Sequence, residues 1–419
     1  MTSLYQEIKG CRACKSKNLH DVLSFGDLFV SNFLDNESDS QNIRAPLTLC
    51  LCSSCSLLQL RHSVHPDKMF RNYWYRSGIN STMTNELANI TNESTKKIKL
   101  KSGDFLIDIG ANDGTLLRSY VPGNYHTIGF EPAENLYDFA SQNNTKIIND
   151  YFSADIWFEN YPNKKAKIIT AIGMFYDLED PNSFLNDIKQ VLDSEGIFII
   201  QMMYLPFLIK RNAFDGVCHE HLEYYSLQSL EYILNKNKLK IFDIQVRESV
   251  NEGSLRFFIC HDNDSTKLIS NGIIDILKSA EKEMKLNEVE TYSKLFERII
   301  LNKKLTVNFI KKMVSEGKII HGYAASTKGN TTLQFYELTK KEIPVISDRN
   351  PSKFGLFAPG TGIKVISEED SRNLKPDYYF VLAWHFIDEF IEREIEFLSR
   401  GGKFILPMPE FKIIEKNEI

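Results

Sequence analysis

Two cysteine pairs near the start of the chain, Cys11-x2-Cys14 and Cys52-x2-Cys55, set the tightest limit on how its first part can fold. Each CxxC turn points two sulfurs at one spot, and two such turns complete a tetrahedron around Zn²⁺. Four thiolates leave no open coordination position. The spacing therefore predicts a structural metal, holding together a segment too small to stabilise itself. Cys50 lies two residues before Cys52, in the preceding strand, and stays outside the ligand set. Reading these thiols as ligands rather than disulfides goes with an expected cytoplasmic, reducing setting. Met1 to Glu7 lacks the basic-then-apolar pattern of a signal peptide, and the apolar stretch Phe198 to Ile209 is too short to span a bilayer and is broken by Gln201 and Pro206.

The rest of the chain is too long for one core. Its 419 residues predict two or three domains, and 42% hydrophobic with 25% charged residues excludes a disordered chain. A net charge of −5 gives no electrostatic reason to expect nucleic acid as a partner, and no membrane contact is expected either.

Phe105-Leu106-Ile107-Asp108-Ile109-Gly110 reads as a buried parallel strand ending in an acid and a glycine. Ala111-Asn112-Asp113-Gly114-Thr115 then turns sharply into a helix, where glycine permits the bend and lets a ligand approach the backbone. A second apolar strand, His126 to Phe130, ends in Glu131-Pro132, and a carboxylate there can accept both ribose hydroxyls of an adenosine. The Gly110-x3-Gly114 spacing differs from the GxGxxG turn that seats a pyrophosphate. The wider polar turn, with Asn112 and Asp113, favours S-adenosylmethionine over a dinucleotide.

Further on, Ile273 to about Val314 is a charged helical run that reads as a solvated connector. A second strand, small-residue turn and helix begin at Ile319 and pass through Lys328, near a helix N-terminus where a diphosphate could sit.

With both cysteine knuckles, these segments resemble the nucleotide-sugar C-methyltransferases. The likeness runs along nearly the whole chain, through Tyr73-Trp74-Tyr75-Arg76-Ser77-Gly78, Asp108 to Thr115, Gly129 to Pro132, His219-Glu220-His221, Gly253 to Arg256, Lys328-Gly329-Asn330-Thr331 and Leu382 to Phe386. It implies an α/β chain with a zinc-binding module (1–64), a class I Rossmann-like methyltransferase core (65–265) and a second Rossmann-like domain (266–419) contacting the nucleotide sugar. It implies a monomer would suffice. S-adenosylmethionine is expected on Asp108, Gly110, Asn112, Asp113, Gly114, Glu131 and Pro132.

The chemistry it implies is methylation of a carbon beside a ketone, which first requires loss of a proton to give an enolate. An imidazole with a pKa near working pH suits that step. His221 is the candidate base, with Glu220 orienting it or holding the sugar and Tyr75 lining the pocket. His219, Lys328 and Asn330 are expected to contact substrate. An extended backbone would put His219 and His221 on one face and Glu220 on the other. Two positions depart from the family pattern: Cys218 stands where a tyrosine is common, and Asp177 where a histidine is common. Methylation at nitrogen or oxygen, or binding without chemistry, are the alternatives.

Overall fold

The computed structural model describes residues 4–37, 43–121, 123, 125–248 and 253–416. Its N-terminal module carries strands β1 (Tyr5–Glu7), β2 (Leu19–Phe29), β3 (Arg44–Cys52), β4 (Leu58–Leu60) and β5 (His62–Val64). The cysteine turns lie before β2 and between β3 and β4, so the sheet brings them together.

The middle part supplies β6 (Phe105–Ile109), β7 (His126–Phe130), β8 (Lys146–Ile148), β9 (Ala166–Ile172) and β10 (Leu192–Met203), then β11 (Glu223–Tyr224), β12 (Leu239–Arg247) and β13 (Ser254–His261). Seven of these form one sheet in the order β12-β13-β10-β9-β6-β7-β8, parallel except for the antiparallel β13. All five residues of β6 are buried, as a strand covered on both faces requires. A covering helix, Pro181–Val191, shows how local sequence fixes an element. Asp180 caps its first amides, Pro181 suits its first turn, and Phe184, Leu185, Ile188 and Val191 form its buried stripe. The chain runs outward from β6 through β7 and β8, then returns to β9 on the other side of β6. The crevice at the carboxyl ends of β6 and β9 is thus a topological switch point, where open α/β sheets bind ligands.

Strands β14 (Ile320–Tyr323), β15 (Val345–Asp348), β16 (Phe357–Ala358), β17 (Ile363–Ser367), β18 (Tyr378–Val381), β19 (Lys403–Leu406) and β20 (Lys412–Ile414) build a second sheet, ordered β16-β17-β15-β14-β18-β19-β20. The charged run before it is not one solvated connector. It is two helices, Asn271–Met284 and Val289–Ser315, broken where Lys285 takes a left-handed φ of 54°. The second buries Tyr292, Leu295, Ile299, Ile310 and Met313 in the core joining the zinc module to the C-terminal sheet. Its surface charges hid an apolar stripe recurring every three or four residues.

One ion-pair network locks the methyltransferase sheet to the helix Ser81–Lys97. Arg256 on β13 is fully buried, and its guanidinium donates to Gln201 Oε1 (2.8 Å), Asn89 Oδ1 (3.0 Å), Gln245 Oε1 (2.8 Å) and Glu86 Oε1 (2.8 Å). Glu86 also accepts from Arg247. Each of its three nitrogens has an acceptor, one of them a carboxylate, which is what makes such burial tolerable.

The three parts meet through shared hydrogen bonds. β11, from the middle of the chain, adds to the zinc module as the fourth strand of its sheet, in the order β11-β4-β3-β2. At the other end of the module, Ser31 Oγ donates to Thr327 O (2.8 Å) and Asn330 Nδ2 to Asn32 O (3.2 Å), joining it to the helix Thr327–Tyr336 of the C-terminal part.

Candidate active site

The Sγ atoms of Cys11, Cys14, Cys52 and Cys55 all lie within 4.8 Å of one another, with Cys11–Cys55 and Cys14–Cys52 at 3.5 Å. A single ion with tetrahedral thiolate ligands fits that spacing. Gln59 Nε2 (3.2 Å to Cys11) and the Ser16 amide (3.4 Å to Cys14) donate to the sulfurs, as groups supporting thiolate ligands do. Cys50 is buried beside this cluster but outside it, and burial pushes its thiol up to about 12.

At the switch point, Gly110 and Gly114 take left-handed φ values of 70° and 76°, which turn the chain from β6 into the helix Thr115–Arg118. Asp108 at the end of β6 accepts from Thr170 Oγ1 (2.6 Å), and burial pushes its carboxyl up to about 7. Glu131, just after β7, accepts from the amides of Asn112 (2.6 Å) and Ala133 (2.8 Å), and burial likewise lifts it to about 7. Pro132 follows, its carbonyl 3.4 Å from Arg71.

Asn112 and Asp113 spend their side chains on the protein itself. Asn112 Oδ1 accepts from the Ser77 amide (2.9 Å), its Nδ2 donates to Tyr75 O (2.9 Å), and Asp113 Oδ2 accepts from the Gly78 amide (2.8 Å). A Cβ on Gly78 would lie 2.8 Å from Asp113 Oδ2 and 2.9 Å from Thr115 Oγ1. The Arg76-Ser77-Gly78 segment is therefore a strap bound down on the cofactor loop.

The strap also decides where the two tyrosines go. Tyr75 is drawn to the cofactor loop, 39% exposed, beside Ser77 and Asp113. The Tyr73 phenol is instead raised well above its ordinary value, by burial and by the charges of Asp177, Glu220 and Cys218. Tyr73, not singled out in the sequence, is thus the tyrosine whose phenol feels that cluster, while Tyr75 lies beside Ser77 and Asp113. The bare sequence carried no signal to choose between them.

His219-Glu220-His221 is not extended. It forms a turn, closed by the His221 amide on Cys218 O (3.1 Å), so the two imidazoles do not share a face. His219 Nε2 donates to Ala45 O on β3 (3.0 Å), and burial holds its pKa down to about 4, so it is a neutral ring committed to the zinc module. His221 Nδ1 lies 2.8 Å from Gly216 O, and its ring meets that of Tyr176 edge-on at 4.4 Å. A carbonyl can only accept, so Nδ1 carries the proton and Nε2 is the basic nitrogen of the neutral ring.

Beside it lies a buried acidic group. Burial raises Glu220, while the Cys218 thiol and the Lys328 ammonium hold it down. Burial and the charge of Glu220 raise Asp177 well above the usual carboxylate range, opposed again by Lys328. Asp177 Oδ1 and Glu220 Oε2 are enclosed without a hydrogen-bond partner among the described residues. The two departures from the family pattern, Asp177 and Cys218, thus both interact with Glu220 and belong to one buried group. Lys328 reaches this cluster from the C-terminal part, whereas Asn330 is spent on Asn32.

The seven-stranded sheet with its antiparallel β13, the turn at Gly110–Gly114, the acid after β7 and the four-cysteine module define an S-adenosylmethionine-dependent methyltransferase with a zinc-binding domain. Three family models match in succession: a zinc binding domain over residues 11–70, a methyltransferase domain over 79–243 and a C-methyltransferase C-terminal domain over 249–409. Together the three models span residues 11–409. The chain is 29% identical over 420 residues to the C-methyltransferase NovU of Streptomyces niveus, covering 99% of each chain. Among solved structures it is similar to an S-adenosylmethionine-dependent methyltransferase from Clostridium acetobutylicum (TM-score 0.33, 11% identity, 42% of this chain and 92% of that one). It is also similar to the plantazolicin methyltransferase BpumL in complex with SAH (TM-score 0.32, 15% identity, 42% and 82%). Among the described residues no helix is long and apolar enough to cross a membrane.

Proposed function

We propose that this enzyme methylates a carbon next to the ketone of a nucleotide-linked 4-keto-deoxysugar. The observation that carries the reading is His221: the Gly216 carbonyl fixes its tautomer, leaving Nε2 as a base beside a buried acidic cluster. The proton on the carbon beside the ketone passes to Nε2. The C–H electron pair moves into a new carbon–carbon double bond, and the ketone oxygen becomes an enolate oxygen. Lys328 and the Tyr73 phenol supply the positive charge and the donor that such an oxygen needs in a water-poor site. Glu220, held by Cys218, orients the sugar hydroxyls, and Asp177 serves beside it as a neutral donor.

Asp108, Gly110, Gly114 and Glu131 are the residues to hold the cofactor, with Asn112, Asp113 and Pro132 shaping the turn around it. When bound, S-adenosylmethionine supplies an electrophilic methyl group on a sulfonium. A product carrying one added methyl on carbon, formed from one member of a panel of nucleotide 4-keto-6-deoxysugars and read by mass spectrometry and NMR, is the expected result. A methyl on nitrogen or oxygen would overturn the reading, as would cofactor binding with no product from any keto sugar.

The cofactor carboxylates predict a pH dependence. Ribose hydroxyls donate, so binding favours ionised Glu131, whose pKa burial has lifted to about 7. Binding at pH 7 is expected to release protons, and affinity to fall as pH drops below 7. Without cofactor the sign is the reverse. Asp108 and Glu131 hold their protons more tightly folded than unfolded (about 3.9 and 4.3). Their contribution to stability is therefore full below about pH 4 and is lost as pH rises through about 7. Calorimetry in two buffers of different ionisation heat checks this: equal binding heats at pH 7 would contradict it.

A further inference from the structure

The zinc cluster and the segment after His221 meet at one sheet, and a single residue touches both, through its side chain on one and its backbone on the other. Gln59 is fully buried at the centre of β4. Its Nε2 donates to Cys11 Sγ (3.2 Å), while its Oε1 accepts from the Arg12 amide (3.0 Å) and from the Arg12 guanidinium (3.4 Å). The same guanidinium donates onward to Leu60 O (2.7 Å) and Ser63 Oγ (2.7 Å). The same side chain also reaches Glu179 (3.4 Å), so the first cysteine knuckle is fixed to β4 through Gln59 and Arg12.

The other edge of β4 carries the segment that follows His221. Gln59 pairs with Glu223 and Leu58 with Tyr224, and the Leu60 amide donates to Leu222 O (2.8 Å). Leu222, the residue next to His221, gives its own amide to Tyr176 O (2.8 Å), and the Tyr176 ring is the one against the imidazole. Two positions before His221, His219 is tied to Ala45 on β3. The turn bearing Glu220 and His221 is thus held on both sides by strands of the zinc module. From the methyltransferase side, Gly216 O holds Nδ1 and the Tyr176 ring packs against the imidazole.

We propose that Gln59 is a positioning residue, linking the zinc thiolate of Cys11 to the strand that sets the place of His221. Its consequence for catalysis rests on the reading of His221 as the base. A shift of about 1 Å in a reacting group can cost on the order of 10²-fold in rate, so a modest loss of register at β4 and β11 is enough to be seen.

The test uses the full-length zinc-loaded enzyme and its variant Gln59→Leu, which keeps all four cysteines and the side-chain volume but neither the donor nor the acceptor. Expected are one zinc per chain by elemental analysis, unchanged S-adenosylmethionine affinity, and a displaced or broadened His221 imidazole signal in ¹³C–¹H NMR. With the keto-sugar substrate, kcat should fall about tenfold or more at unchanged KM, and solvent deuterium should enter the substrate more slowly by the same factor. An unmoved His221 signal with full zinc would overturn the proposal. If Gln59→Leu does not fold, replacing Zn²⁺ by Cd²⁺, with its longer metal–sulfur bonds, in the unmutated enzyme gives the same reading. The His221 signal should shift, and an unchanged signal would overturn the link. Should His221→Ala retain turnover while Gln59→Leu still moves the His221 signal, the link stands and the assignment of the base falls.

Discussion

Replacing His221 by alanine is expected to slow methylation by roughly 10²–10⁴-fold, the contribution of a positioned general base. Cofactor affinity should stay within about twofold, because the Asp108–Glu131 site lies on other strands. The reasoning runs through the tautomer. With Nδ1 pinned on the Gly216 carbonyl, 2.8 Å away, only Nε2 can take a proton, and alanine leaves no group to do so. Solvent deuterium exchange beside the substrate ketone, measured without S-adenosylmethionine, isolates that step. It should disappear together with turnover. Exchange that persists in His221→Ala would place the base elsewhere, and Glu220 would be the next residue to replace.

The second large effect concerns stability. Glu86→Ala should destabilise the protein by about 3–5 kcal/mol, since it leaves the fully buried Arg256 guanidinium without its carboxylate. Gln201, Asn89 and Gln245 would still accept from Arg256, but none carries the compensating charge. Exchanging both partners for apolar residues, as in Glu86→Leu with Arg256→Met, should recover most of the loss, because an absent buried pair costs far less than a broken one. Urea unfolding followed by near-ultraviolet circular dichroism reads both variants. A loss below about 1 kcal/mol in Glu86→Ala would show that the charge is solvated after all.

Much of this architecture was legible in the residues because local chemistry dictated it. The cysteine spacing implies the cluster of four sulfurs, and the apolar run Phe105–Ile109 before Gly110 implies the buried strand and sharp turn that the fold has. What stayed hidden depended on partners distant in sequence. Nothing near Tyr73 or Tyr75 says which phenol feels the charge of Asp177, a residue distant in sequence. The His-Glu-His string looked extended because it precedes an apolar run. Its turn, and the loss of His219 to Ala45, follow from docking against the zinc module. Lys328 reads as a phosphate ligand at its helix N-terminus, and only the approach of the C-terminal part brings it to Glu220. The helix Val289–Ser315 was misjudged as a solvated connector because its charges outnumber the narrow stripe that packs.

The strand shared between β4 and β11 has a consequence for biosynthesis. β4 leaves the ribosome early, but its partner is encoded roughly 160 residues later. At 5–20 residues per second, the metal-loaded module waits on the order of ten seconds or more with one edge of its sheet unpaired. Exposed strand edges recruit other strands, so nascent or truncated chains ending before Glu223 should be the aggregation-prone species of this protein. The isolated N-terminal module would keep the same open edge, and a chain reaching past Tyr225 would close it.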